Sequence, residues 1–212
     1  MLWKLIYNLI LFPLFFFTII ILSIFSKKIR TGFYGRLRSK KIINDFVSKS
    51  ENKDIYWFHA ASLGEYEQIK PILSGLKEIE PESQFVLSFF SPSGFNFVDD
   101  KEVDCKIYLP FDFKWIVKRY LKKLNPRKII LAGYDVWPNL IWVAKELNIH
   151  SVLFAARFSN KSSKMYPLVK IFYRNIYNSF NAIYTISKND SEQLKLIIGE
   201  KNNPILRTLG NP

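Results

Sequence analysis

The segment His59-Ala60-Ala61-Ser62-Leu63-Gly64-Glu65 sets an imidazole, a hydroxyl and a carboxylate within seven positions of one another. Gly64-Glu65 can hold a carboxylate and exposed backbone N–H groups at a helix start, a combination suited to a sugar hydroxyl or a lipid phosphate. Glu65 equally suits an ordinary first helical turn, where the helix dipole stabilises it. His59, at the end of an apolar run, reads from its position alone as a structural hydrogen-bonding group. Ser93-Gly94 offers a hydroxyl with close backbone approach, while Arg157 can pair bidentately with phosphate or carboxylate, or bridge internally to Asp135 or Asp112. The two histidines, His59 and His150, lie 91 positions apart and no acidic cluster joins either, so no metal site is expected. A Walker-type phosphate loop and a Gly-x-Gly-x-x-Gly turn are also absent, which argues against kinases, ATPases and NAD enzymes.

Those residues fall at the ends of apolar runs. Ile55–Phe58, Phe85–Phe90, Lys128–Ala132, Ser151–Ala155 and Ala182–Ile186 read as five apolar strands, with a short one at Ile107–Leu109. Between them stand helical periods: Ile69, Ile72, Leu73, Leu76 and Ile79; then Phe113 to Leu124, with Asp112 placed to cap it; then Leu140 to Leu147, opened by Pro138. Ser162–Phe180 and Asp190–Ile198 complete the helices, and Ser91-Pro92-Ser93-Gly94 punctuates the chain. Strands separated mostly by helices argue an α/β domain with a parallel sheet covered on both faces, whose ligands sit at the carboxyl ends of strands.

Of 212 residues, 31 are Lys or Arg and 18 are Asp or Glu, a net charge of +13 that anticipates anionic partners. Nucleic acid competes on charge only, since no zinc-finger spacing, RNP-like strand or helix-turn-helix pattern is found, and none is expected as a partner. A lone cysteine, Cys105, forms no intrachain disulfide. Residues 5–26 carry no charge and are long enough to span about 30 Å of hydrocarbon. The run is closed by Lys27, Lys28 and Arg30 rather than by a cleavage site, and reads as an uncleaved anchor that leaves the following domain in the cytoplasm. Pro13 and Tyr7-Asn8 keep a second reading open, a bent helix lying in one leaflet, and a buried helix of a soluble domain is the third, which the unbroken length disfavours. The expected division is an anchor helix with its basic flank over 1–30 and a folded domain over 31–212. The basic clusters at Arg36-Arg38-Lys40-Lys41, Lys118-Arg119-Lys122-Lys123 and Lys161-Lys164-Lys170-Arg174 suit an anionic membrane surface or simply solvate helix faces.

Taken in order, the loops His59 to Glu65, Ser91 to Gly94, Tyr108 to Asp112, Tyr134-Asp135-Val136-Trp137-Pro138-Asn139 and Ala155 to Ser159 resemble the N-terminal half of the bacterial 3-deoxy-D-manno-octulosonic acid (Kdo) transferases. The resemblance begins near Gly32 to Arg36 and runs to Gly210-Asn211. It implies a GT-B glycosyltransferase of two Rossmann-like domains, the first binding a lipid A precursor and the second the donor CMP-Kdo, at the inner membrane and with no further cofactor. Pro212 stands where such a first domain would end, so the donor domain is expected in cis or in trans. By the resemblance, His59, Ser62, Gly64, Ser93, Gly94, Trp137, Asn139, Arg157 and Ser159 contact the acceptor.

Two departures accompany the match. Gly35 stands where the family carries the carboxylate regarded as the general base, and a glycine cannot take the acceptor hydroxyl's proton. Gly133 and Asp135 stand where the family usually has two glutamates, leaving Glu65 and Asp135 as substitute bases. Three functions follow: Kdo transfer, or its acceptor-binding half; a lipid-binding module that has lost its base; and a membrane-tethered scaffold.

Overall fold

A computed structural model of the protein describes residues 2–50, 53–158, 163–199 and 204–210. Seven strands, β1 (Ile55–Ala60), β2 (Gln84–Phe89), β3 (Cys105–Tyr108), β4 (Lys128–Ala132), β5 (His150–Ala156), β6 (Ala182–Thr185) and β7 (Ile205–Thr208), form one sheet in the order β3-β2-β1-β4-β5-β6-β7. Every pairing is parallel. The helices are α1 (Leu2–Ile6), α2 (Phe12–Phe25), α3 (Lys27–Val47), α4 (Leu63–Ile79), α5 (Pro92–Phe97), α6 (Lys114–Leu124), α7 (Pro138–Glu146), α8 (Pro167–Tyr177) and α9 (Lys188–Ile198).

All six residues of β1 are buried, because alternate side chains feed two cores. Trp57, with Val86, Ile129 and Leu131 of its neighbours, meets Leu140 and Ile141 of α7 on one face. Tyr56 and Phe58, with Phe85 and Leu87, meet Ile69 and Leu73 of α4 on the other. Burial on both faces is why the strands read as continuous apolar runs. The chain winds outward from β1 through β2 to β3 and outward from β4 to β7, so the sheet order reverses between β1 and β4. A crevice opens at the carboxyl ends of strands at such a reversal.

Four local expectations are corrected. The edge strand β7 was not expected. Ser91-Pro92-Ser93-Gly94 starts α5 instead of merely turning the chain: the Ser91 hydroxyl accepts from the Ser93 N–H at 3.3 Å and Pro92 sits in the first turn. Ser162–Phe180 is not one helix. A 3₁₀ turn at Ser163–Met165 precedes α8, which Pro167 opens, since an interior proline removes a helical donor and crowds the preceding turn. Finally, Asp112 does not cap α6, whose N-cap is Phe113 with no side-chain bond. It turns to α7, which lacks a cap of its own, and its carboxylate accepts from the Asn139 N–H at 2.9 Å and the Leu140 N–H at 3.0 Å.

Residues 2–25 stand against the domain. α1, a π-helical turn at Tyr7–Leu11 and α2 form one apolar rod, long enough by length and composition to cross a membrane. Tyr7 and Phe12 are buried in the main core, and the Tyr7 hydroxyl donates to Asp112 at 2.8 Å. Extended Ser26 then breaks the rod and caps α3. α3 runs unbroken through the expected boundary at residue 30 and lays Gly32, Arg36, Ser39 and Ile43 inward. Ser39 accepts from the Tyr108 N–H and donates to the Tyr108 carbonyl, each at 3.0 Å, covering the backbone of edge strand β3.

Gly35 permits that approach, since a Cβ there would overlap the Tyr108 ring. Gly35→Ala is therefore expected to destabilise the fold by about 1–3 kcal/mol through overpacking. The loss should shrink when measured in a Tyr108→Ala background, by comparing denaturant midpoints across the four proteins; strictly additive losses would remove Tyr108 as the obstacle.

Burial pushes the Asp112 carboxyl up to about 7, against the opposing pull of the Asn139 N–H and the Tyr7 hydroxyl. An acid whose folded pKa lies above its unfolded value of about 3.9 binds more protons in the native state between the two. Its contribution is therefore most favourable below about pH 4 and is lost as pH rises to about 7. Thermal midpoints taken across that range should show Asp112→Asn to be less stable throughout, with a shallower decline than the wild type.

Candidate active site

At the sheet reversal the carboxyl ends of β1 and β4 bring together His59, Glu65 and Asp135. His59 is the fifth residue of β1, paired in register with Leu131 of β4, and fully buried. Its Nδ1 lies 3.1 Å from the Ser88 carbonyl oxygen and 3.0 Å from the Ser88 hydroxyl. A carbonyl only accepts, so Nδ1 carries the proton, and the Ser88 hydroxyl spends its own proton on the Phe58 carbonyl at 3.2 Å. The orientation is thus set by β2, and Nε2 is left with no hydrogen-bond partner among the described residues. Nε2 lies 3.8 Å from the Asp135 carboxylate, which is about one third exposed. With Nδ1 protonated, Nε2 faces that carboxylate as a second acceptor, so a single hydroxyl proton can serve one of the two. Trp137 Nε1 donates to the same Asp135 oxygen at 3.2 Å and orients it.

Glu65 occupies the first turn of α4, but its role is larger than a dipole partner. Its carboxylate accepts from the Ala61 N–H at 2.6 Å and from the Tyr134 backbone, tying the β1 and β4 loops to each other. Burial raises its pKa above the ordinary value, the Ala61 N–H opposes that rise, and the Asp135 charge adds to it. Gly133 makes this clamp possible. It sits at φ +70°, and a Cβ there would come within 2.6 Å of the Glu65 carboxylate. A residue with a side chain at 133 would displace Glu65.

The other expected residues divide. Ser62 is the N-cap of α4 without a side-chain cap bond, and Gly64 is exposed with open space beside it. The Ser93 hydroxyl is shared with Ser91 at 2.9 Å, while Gly94 lies buried on the Phe89 ring, so its missing side chain serves packing. Trp137 is buried between Phe90 and Phe15. The Asn139 amide exchanges hydrogen bonds with that of Asn8 at 3.1 and 3.0 Å and also donates to the Asp112 carbonyl; its polar atoms thus dock the N-terminal rod. Arg157 is exposed, and its expected alternative bridges to Asp135 or Asp112 do not form. Ser159 lies outside the described residues.

Two cations were not expected to be buried. The Arg36 guanidinium donates to the Phe90 carbonyl at 2.9 Å and stacks on its ring at 4.4 Å. Burial lowers it to about 10, and no carboxylate forms a salt bridge with it among the described residues. It lines, with Lys28, a pocket of about 340 Å³ whose apolar walls include Phe15, Ile19, Leu22 and Pro92. Lys164, placed by its spacing in a basic face, instead lies among Phe158, Tyr173 and Tyr177, donates to the Tyr177 hydroxyl at 2.8 Å, and is lowered to about 8 by burial. The rings of Phe158, Tyr173 and Tyr177 were the available signal, but only the fold gathers them.

Comparison with known proteins agrees with this architecture. A bifunctional glycosyltransferase/methyltransferase of Fusobacterium nucleatum is 25% identical over 160 residues, covering 74% of this chain and 25% of that protein. A 3-deoxy-D-manno-octulosonic acid transferase of Haemophilus influenzae is 27% identical over 156 residues, covering 73% and 34%. The chain thus spans about a quarter to a third of the length of these curated relatives. A crystal structure of UDP-N-acetylglucosamine 2-epimerase superposes with a TM-score of 0.53 at 11% identity, covering 76% of this chain and 49% of that one, a likeness of fold alone. The family model described as 3-Deoxy-D-manno-octulosonic-acid transferase (kdotransferase) matches residues 29–211. With the parallel sheet, the crevice at its reversal and that match over most of its length, the chain belongs to the Kdo transferase family.

Proposed function

We propose that this chain is the acceptor-binding half of an enzyme that transfers Kdo from CMP-Kdo to a lipid A precursor at the cytoplasmic face of the inner membrane. The observation that carries this reading is the Asp135 carboxylate, about one third exposed, oriented by Trp137 Nε1 and lying 3.8 Å from the buried, unpartnered His59 Nε2. An acceptor hydroxyl reaching the exposed part of Asp135 would donate its one proton to that carboxylate. As the hydroxyl oxygen attacks the anomeric carbon and the bond to the CMP phosphate breaks, its proton passes to the Asp135 carboxylate. Glu65, held by two backbone donors, positions the loops rather than receiving the proton. Arg36 and Lys28 beside an apolar pocket suit a lipid phosphate with its acyl chain, and exposed Arg157 is free to meet a second anionic group. The donor half, in cis or in trans, would supply CMP-Kdo recognition.

Gly35 favours a second reading, a lipid-binding module without catalysis. The position matching the family's base is sealed by the Tyr108 ring, so restoring a glutamate there would break the packing of α3 rather than restore a base.

Both readings meet in one assay. The chain, fused to the donor domain of a family member, is given radiolabelled CMP-Kdo and a lipid A precursor. Kdo transfer is expected, with Asp135→Asn lowering the rate by about 10²- to 10⁴-fold at unchanged precursor affinity. Precursor binding without transfer in the unsubstituted fusion would select the module, and full activity in Asp135→Asn would reject the proton route.

A further inference from the structure

The N-terminal apolar rod is docked along one side from Trp3 to Phe16. Trp3 meets Phe172 of α8 at 5.7 Å, Tyr7 meets Trp142 of α7 at 5.7 Å, Phe12 meets Phe113 at 4.7 Å and Phe16 meets Phe111 at 5.0 Å. Farther along, Ile19 and Leu22 share the pocket walls with Phe90 and Pro92. Polar contacts fix the register: Tyr7 on Asp112, and the Asn8 amide on that of Asn139. The π-helical turn at Tyr7–Leu11 lies where those two side chains reach the domain. π-bulges shift the helical phase by one residue, which brings Tyr7 and Phe12 onto the same buried side.

From Trp3 to Phe16 the docked helix rises about 20 Å, most of the roughly 30 Å of a bilayer's hydrocarbon core. A rod spanning the bilayer with these contacts intact would carry Asp112, Asn139 and the polar ends of α7 and α8 into hydrocarbon. Spanning would therefore require the whole aromatic interface and its hydrogen bonds to be torn away, exposing Tyr7, Asn8, Asp112 and Asn139 together.

The opposite side of the rod has no partner. Leu5, Leu9, Leu14, Phe17, Ile21 and Ile24 are 48 to 69% exposed. Exposed Lys27 and Arg30 follow this apolar side at its carboxyl end, while the Lys4 ammonium lies over the Trp142 ring on the docked side and Lys28 lines the Arg36 pocket. An apolar stripe ended by cations fits the surface of an anionic bilayer, where the stripe enters the acyl boundary and the cations meet headgroups.

We infer that the rod lies in the plane of one leaflet of an anionic phospholipid membrane, with its amino end and the α/β domain on the same side. The seat stands independently of the catalytic reading, since it uses contacts of the rod alone. It places the crevice at the membrane surface, because Asp112 and Asn139 join the rod directly to α7 and its preceding loop.

Two measurements on the full-length chain test the seat. Cys105 is buried, so single cysteines at exposed positions can be labelled in turn. With Leu2→Cys, a membrane-impermeant maleimide added to intact spheroplasts should leave the protein unlabelled and should label it after lysis; labelling in intact spheroplasts would overturn the inference. Nitroxides at Leu9, Leu14, Phe17 and Ile21, in vesicles of phosphatidylethanolamine and phosphatidylglycerol, should all report the same shallow depth. A profile that deepens to the midplane and returns, or a chain that stays off the vesicles, would equally overturn it.

Discussion

The carboxylate of Asp112 is the constraint on which the arrangement depends. It is almost wholly buried, and its oxygens collect the Tyr7 hydroxyl from the N-terminal rod and the first free N–H groups of α7. A buried carboxylate is costly unless its acceptor capacity is met, and here three donors from two elements meet it. Removing any one would weaken the others' geometry, so rod, α7 and the Trp137-Pro138-Asn139 turn are held as one unit. Asp135 lies in the loop that opens this same turn, and Trp137 orients it. The N-terminal rod and the His59–Asp135 pair are thereby joined through few side chains.

The chemistry at the crevice follows from backbone geometry as much as from side-chain type. Glu65 bridges two strand-end loops because Gly133 adopts a left-handed conformation and leaves it room. His59 presents Nε2 because β2 supplies a carbonyl that claims Nδ1. Gly35 lets α3 settle against Tyr108 and closes the edge of the sheet. The two departures from the family pattern thus have local structural accounts, one making space for a carboxylate and the other for an aromatic ring.

Much of the fold was legible in the sequence because parallel strands buried on both faces are continuous apolar runs, as in Ile55–Phe58 and Lys128–Ala132. The loops that carry His59, Glu65 and Asp135 were legible as strand ends. What periodicity did not reveal lies in long-range pairing. Asp112 looked like a cap for the helix that follows it, yet its donors are 27 and 28 positions away. Asn139 looked like a ligand contact, but its partner Asn8 is 131 positions distant. Lys164 read as part of a solvated face until Phe158, Tyr173 and Tyr177 surrounded it. β7 is short and mostly exposed, so it lacks the apolar signature of its neighbours.

The contacts at Asp112 and Asn139 should keep the apolar rod docked on the domain when the protein is in a membrane. Spin labels at Leu9→Cys on the exposed side of the rod and Lys122→Cys on the exposed face of α6, measured by pulsed dipolar spectroscopy, test it most directly. The same narrow distance distribution in detergent micelles and in lipid bilayers is the predicted result. A distribution that lengthens or broadens on transfer into bilayers would show the rod leaving the domain and would contradict the account.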